Sequence, residues 1–218
     1  MSGSPRGSRQ RVPWLWPVLL AATLLLSFAA QAASVKSRNL SQLIDESDSI
    51  VIGVVDKVED GIDDRGVPYT EVTVKIAERL RGKDTGASYT FRQFGLIEPR
   101  KMDNGRTLMA VTPDGWPTYA KGEQVMLFLH KPAKLTGLQT TVGLNQGKFR
   151  ISNNRARSAA DNRGLFEGVT FAPGVLTKNQ KTMVSARAGA VDANALIDVV
   201  RRAVKENWAA TGRMKNER

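Results

Sequence analysis

Apolar and polar positions alternate most clearly between Ser49 and Lys83, where Ile50, Val51, Ile52, Val54, Val55 and Val58 are followed by Tyr69, Val72, Val74, Ile76 and Leu80. The pattern predicts two long antiparallel strands. Between them, Glu59 to Gly66 brings two acidic pairs and two glycines, which is turn chemistry. The first strand is apolar on both faces and so is expected to be central, while the second alternates as a strand with one wet face does. Gly53 marks an expected bulge. A lone hairpin is not stable in water, and four more short apolar runs supply its neighbours: Ala87 to Phe94, Glu123 to Lys131, Leu138 to Leu144 and Lys148 to Ser152. In the fourth strand Val125, Leu127 and Leu129 face one way and Met126, Phe128 and His130 the other. The last two runs, joined by Asn145-Gln146-Gly147, are read as a closing hairpin with its glycine at positive φ. The fold class predicted is mainly β: a small closed or partly open antiparallel barrel.

The flanks carry a different period. Asn39 precedes Leu40, Leu43 and Ile44 at helical spacing, which predicts a short capped N-terminal helix over the barrel's end. Near the C-terminus Asp192 is the expected cap of an amphipathic helix over 191–211, with Leu196, Ile197, Val200, Val204 and Trp208 on one face and Arg201, Arg202 and Lys205 off it. Residues 1–33 read as a signal peptide: Arg6, Arg9 and Arg11, an apolar run from Trp14 to Ala30, then Ala30-Gln31-Ala32 as a cleavage signal. The expected organisation is therefore a signal peptide (1–33), a β-barrel domain (34–152), a basic irregular segment (153–190) and a C-terminal amphipathic helix (191–211). An exported, periplasmic or secreted protein with no integral membrane segment after cleavage is expected.

Charge changes the picture once it is divided along the chain. Of the net +11, residues 1–33 hold three basic and no acidic side chains, residues 34–147 fifteen of each, and residues 148–218 fourteen basic and six acidic. A neutral barrel is a poor trap for nucleic acid, which binds through charge and counterion release. The basic excess sits in the C-terminal third. The chain has no cysteine, which removes disulfides, thiolate nucleophiles and cysteine zinc sites.

Candidate chemistry is sparse, and no catalytic residue, metal site or cofactor is predicted. The excursion from Gly95 to Gly122 interleaves Arg100, Lys101 and Arg106 with Trp116 and Tyr119, the expected ligand- or partner-binding surface; a structural alternative folds Trp116 and Tyr119 back over a barrel edge. The basic helix residues Arg201, Arg202 and Lys205, with Trp208, are a candidate membrane- or partner-binding face. Asp60, Asp63 and Asp64 do not follow EF-hand spacing and read as a solvated turn. His130, the one histidine, reads as a rim residue. Three functions follow: a non-enzymatic binding module for an exported protein partner, a hydrolase of envelope polymers using paired carboxylates among Asp103, Asp114 and Glu123, and a binder of anionic polymer or membrane surface through the basic C-terminal third.

The order of Asp48-Ser49-Ile50-Val51-Ile52-Gly53-Val54-Val55, Tyr69 to Val74, Leu80-Arg81-Gly82, Gly122 to Leu129 and Gln146-Gly147-Lys148-Phe149-Arg150 resembles a group of exported bacterial proteins. These look like OB-type barrels akin to the tissue inhibitors of metalloproteinases and the netrin modules. The match spans roughly residues 40–152 and rests on structural motifs. It implies an OB-like binding barrel without a known reaction. Those inhibitors chelate the protease zinc through an N-terminal cysteine, a chemistry that no residue here can supply.

Overall fold

A strand apolar on both faces needs a core on each side, and Ser49–Ile62 (β1) has one. The computed structural model describes residues 37–217, so the signal-peptide segment lies outside the described residues. β1 pairs on one edge with Pro68–Arg81 (β2) and on the other with Gln124–Leu129 (β6). Ser88–Phe94 (β3) pairs with β2, Lys148–Ser152 (β7) with β6, Arg155–Ser158 (β8) with β7, and Val191–Asp192 (β10) with β8. The result is one seven-stranded antiparallel sheet, ordered β10-β8-β7-β6-β1-β2-β3, and it is open rather than closed.

Successive residues of a strand point to opposite faces, so the sheet divides its apolar residues between two clusters. Ile50, Ile52, Met126, Phe128, Phe149 and Ile151 join the helices in the larger one. Val51, Val55, Val125, Leu127 and Leu129 join Val72, Val74 and Phe91 in the smaller one, with Tyr89 and Tyr119 partly buried against it. The split in β6 is the one its sequence predicts. At Gly53 the β1–β2 register shifts, and a Cβ there would lie 2.1 Å from the Lys75 carbonyl oxygen. Only glycine lets the two backbones approach that closely.

Leu40–Asp45 (α1) is closed by a capping box between Asn39 and Gln42, and Leu40, Leu43 and Ile44 are buried in the larger cluster. Asp192 caps Ala193–Lys205 (α3) at the Ala195 N–H, 2.7 Å away. α3 lays Leu196, Val199, Val200 and Ala203 into the same cluster. It stops at Lys205, short of the expected end near residue 211, because Asn207 takes φ +49 and turns the chain back. Trp208 then donates its backbone N–H to the Ala203 carbonyl and buries its ring completely.

Three expectations are corrected. Glu59, Asp60 and Gly61 belong to β1, which runs to Ile62 opposite Pro68, so the turn is confined to Asp63–Val67. Leu138 to Leu144 is not a strand: it makes a single bridge, Thr141 to Leu129, and ends in a 3-10 turn at Leu144–Gln146. Gly147 has φ −85, and the positive angles fall on Gly143 and Leu144; glycine is needed at 147 because a Cβ would lie 2.3 Å from the Val142 carbonyl oxygen. The segment 153–190, expected to be irregular, supplies β8, Val169–Phe171 (β9) and Lys178–Val184 (α2), so the sheet runs on past residue 152. Met214–Asn216 (β11) pairs with β9.

Candidate functional site

The β7–β8 hairpin turns on Asn153-Asn154, both at positive φ (+48 and +56), the geometry of a two-residue hairpin turn. The turn fixes the register: Phe149 opposite Ser158 and Ile151 opposite Ala156 on the core face, Arg150 opposite Arg157 and Ser152 opposite Arg155 on the other. The outer face is therefore a wall of three arginines and a serine. Two like charges directly opposite each other destabilise a sheet. This wall forms one side of a cleft of about 450 Å³, within the range of small-ligand sites.

Beneath the wall lies a buried ion cluster. The Glu123 carboxylate accepts from Lys148 Nζ at 2.7 Å and Arg150 Nε at 2.6 Å, with the Glu123 and Lys148 side chains only 5% and 10% exposed. Burial by itself would push the Glu123 carboxyl up, but the hydrogen bonds from Lys148 and Arg150 outweigh it and hold the group below the usual carboxylate range. Burial pulls the Lys148 ammonium down, with Glu123 opposing. Lys148 also donates to the Thr118 carbonyl and sits 4.6 Å from the centre of the Tyr119 ring. The Tyr119 hydroxyl is buried without a hydrogen-bond partner among the described residues, and burial pushes its pKa up.

Each opposed arginine is held by one nitrogen. Arg150 gives Nε to Glu123, and Arg157 gives Nε to Asp161 at 2.5 Å. Among the described residues no hydrogen bond uses the terminal nitrogens of either, and their side chains are 66% and 60% exposed. Arg155 donates to the Ala190 carbonyl at the far wall. Asn145 and Thr118, which also line the cleft, come from the 3-10 turn and from the end of the 95–122 excursion. The excursion is tied to that turn where Asn145 N–H meets the Gly115 carbonyl.

The residues expected from the sequence end up in three places. Tyr119 does not line the cleft: it turns into the smaller core cluster, packed edge-on to Phe91 at 5.6 Å between ring centres. Arg100 and Lys101 form β4, paired with Thr107–Leu108 (β5), and Arg100 is bound to Asp60. Lys101 and Arg106 stand exposed on that ribbon, and Trp116 is half-buried. On α3, Arg201 gives Nε and Nη2 to Glu78 at 2.6 and 2.7 Å, and Arg202 stacks over Trp208 at 5.0 Å. Lys205 is exposed, while Trp208 is fully buried, so the helix's apolar face is taken up by the fold.

The acids are likewise dispersed. Asp103 and Asp114 are exposed, and Glu123 is the single carboxylate lining the cleft. Asp63 accepts from the Val67 and Arg65 N–H groups, which hold its carboxyl low, as a turn residue does. Among the described residues no group of three His, Asp or Glu side chains is placed to hold a metal ion.

What the sequence reading missed is the hairpin itself. Its signal was present: Lys148, Arg150 and Ser152, then Arg155 and Arg157, repeat every second residue on either side of an Asn-Asn turn. No protein-family model matches this chain, and no curated protein matches it.

Proposed function

We propose that the protein is an exported, non-enzymatic binding module whose basic cleft takes an anionic ligand of the cell envelope. The observation that carries this reading is the pair of opposed arginines, Arg150 and Arg157, each braced at Nε by a carboxylate with its terminal nitrogens turned over to no protein group among the described residues. A planar guanidinium fixed at one nitrogen is a prepared donor for carboxylate or phosphate oxygens. The repulsion between the two is relieved when an anion sits between them. The lone cleft carboxylate is neutralised by Lys148 and Arg150, so it is poorly suited to general acid-base work.

The strand order β3-β2-β1-β6-β7 supports an OB-like, partly open barrel, as does the Gln139 N–H that reaches from the 138–142 segment to the Arg92 carbonyl of β3. The basic, apolar and small-residue sequence of residues 1–33 supports export. Binding of the purified protein to polygalacturonate or polyphosphate, against neutral dextran, tests the function. Binding to the polyanions that weakens steeply with salt is expected; equal binding to dextran, or none at low salt, overturns it.

A second reading, contact with an exported protein partner through the excursion, is favoured by Ile97, Met102 and Met109, which stand exposed on or beside the β4–β5 ribbon. Ile97→Asp with Met109→Asp then abolishes co-purification of a partner from the envelope fraction and leaves anion binding unchanged. Retained co-purification removes this reading.

A further inference from the structure

The cleft's charge and donor pattern say more about the ligand than its sign. We infer that the group held between Arg150 and Arg157 is a phosphate, a monoester carried on a larger polar molecule; this rests on the anion-binding reading of the same cleft. Four cations line the site, Lys148, Arg150, Arg155 and Arg157, against the single carboxylate of Glu123. Glu123 and Lys148 neutralise each other, and Asp161 stands behind Arg157, so the charge facing the opening is close to two positive. One carboxylate leaves half of that uncompensated. A phosphate monoester, at roughly −1.5 to −2 near neutral pH, matches it.

The geometry agrees with the charge. Arg150 and Arg157 occupy opposed register positions, and Arg155 stands two residues along β8, about 6.8 Å away on the same face at the usual strand rise. Three guanidiniums thus line one face of the cleft, Arg155 with one terminal nitrogen on the Ala190 carbonyl, and three such donors suit the three outer oxygens of a phosphate monoester better than the two of a carboxylate. Ser152 and Asn145 add neutral donors on the lining, where the rest of a sugar or polyol phosphate would lie. With a cleft of about 450 Å³, there is room for such a body beyond the phosphate itself.

Titration calorimetry of the purified protein with inorganic phosphate, and separately with acetate at matched ionic strength, tests the assignment. Phosphate is expected to bind at least about tenfold more tightly than acetate, the difference that one further charge-assisted hydrogen bond supports. Its affinity rises as pH passes upward through the second ionisation of inorganic phosphate, while arginine stays charged and acetate binding stays level. Arg157→Ala and Arg155→Ala, both exposed positions away from the buried ion cluster, each reduce phosphate affinity about tenfold, and Arg157→Lys restores it only in part. Phosphate and acetate binding equally, with no pH dependence, overturns the phosphate assignment and leaves the anion-binding cleft standing. No binding of either, together with no binding of polygalacturonate or polyphosphate, overturns both. Co-sedimentation with phosphatidylcholine vesicles containing phosphatidic acid, lost in Arg157→Ala, assigns the phosphate to a lipid headgroup; phosphate binding without vesicle binding assigns it to a soluble molecule.

Discussion

The arginines of α3 and those of the β7–β8 wall are the same residue in the same basic third of the chain, yet they do opposite things. Arg201 sets two nitrogens, Nε and Nη2, on Glu78, and Arg202 lies on the Trp208 ring with Asp198 and Glu206 on either side. Arg201 thereby ties the helix to the sheet, and Arg202 is taken up by the helix and its own C-terminal turn. Arg150 and Arg157 are each gripped by one nitrogen and opposed to each other across two strands. The lesson is that a count of basic residues does not locate a binding surface. How many of each guanidinium's donors the fold already uses decides which charges stay available to a ligand.

Trp208 is completely buried, edge-on to Phe171 at 6.3 Å between ring centres, with its indole N–H on Glu206 at 2.8 Å. Trp208→Ala is expected to destabilise the protein by about 3–5 kcal/mol, measured by urea unfolding, as befits a core residue. A change near zero would return the helix to the role of a surface element.

Next comes the floor of the wall. Glu123→Ala leaves Lys148 buried without its counter-charge and releases Arg150, so a loss of about 3 kcal/mol in stability is expected together with weakened anion binding. The same group sets an acid limit. Its pKa is lower folded than unfolded, so the unfolded chain binds the proton first: its stabilisation is complete above about 4.3, the ordinary glutamate value, and is lost as pH falls through the lowered one. Unfolding midpoints measured from pH 6 down to about 3 should therefore drop more steeply in the wild type than in Glu123→Gln.

The smallest effects sharpen the contrast most. Arg157→Ala should leave stability within about 0.5 kcal/mol, because its ion pair with Asp161 is exposed, and lower anion affinity about tenfold. Arg201→Ala should cost a similarly small amount of stability, about 0.5 kcal/mol, since its pair with Glu78 is itself part-exposed, but leave anion binding unchanged.

Much of the sheet was legible because its strands are amphipathic or apolar. β1, β2 and β6 announce themselves through alternation and β-branched residues, Gly53 through its place in an apolar run, and the starts of α1 and α3 through Asn39 and Asp192. The β7–β8 hairpin was not legible as a unit, since β8 reads as Arg-Ala-Arg-Ser and only its cross-strand partners reveal that Ala156 faces a core. Leu138 to Leu144 misled in the other direction: an apolar run satisfied by scattered hydrogen bonds and one bridge, with no ladder. The site followed the same divide. Tyr119 stands out as an aromatic among charges but packs into the smaller core cluster, whereas Arg150 and Arg157 become a pair only through a register that no local pattern states.

The most direct test reads the arginines one by one. In an NMR titration following the Nε–Hε signals, addition of phosphate, and separately of a galacturonate oligomer, should shift Arg150 and Arg157 while Arg201 and Arg202 stay in place. Shifts confined to the α3 arginines, or none at the wall, would contradict the account.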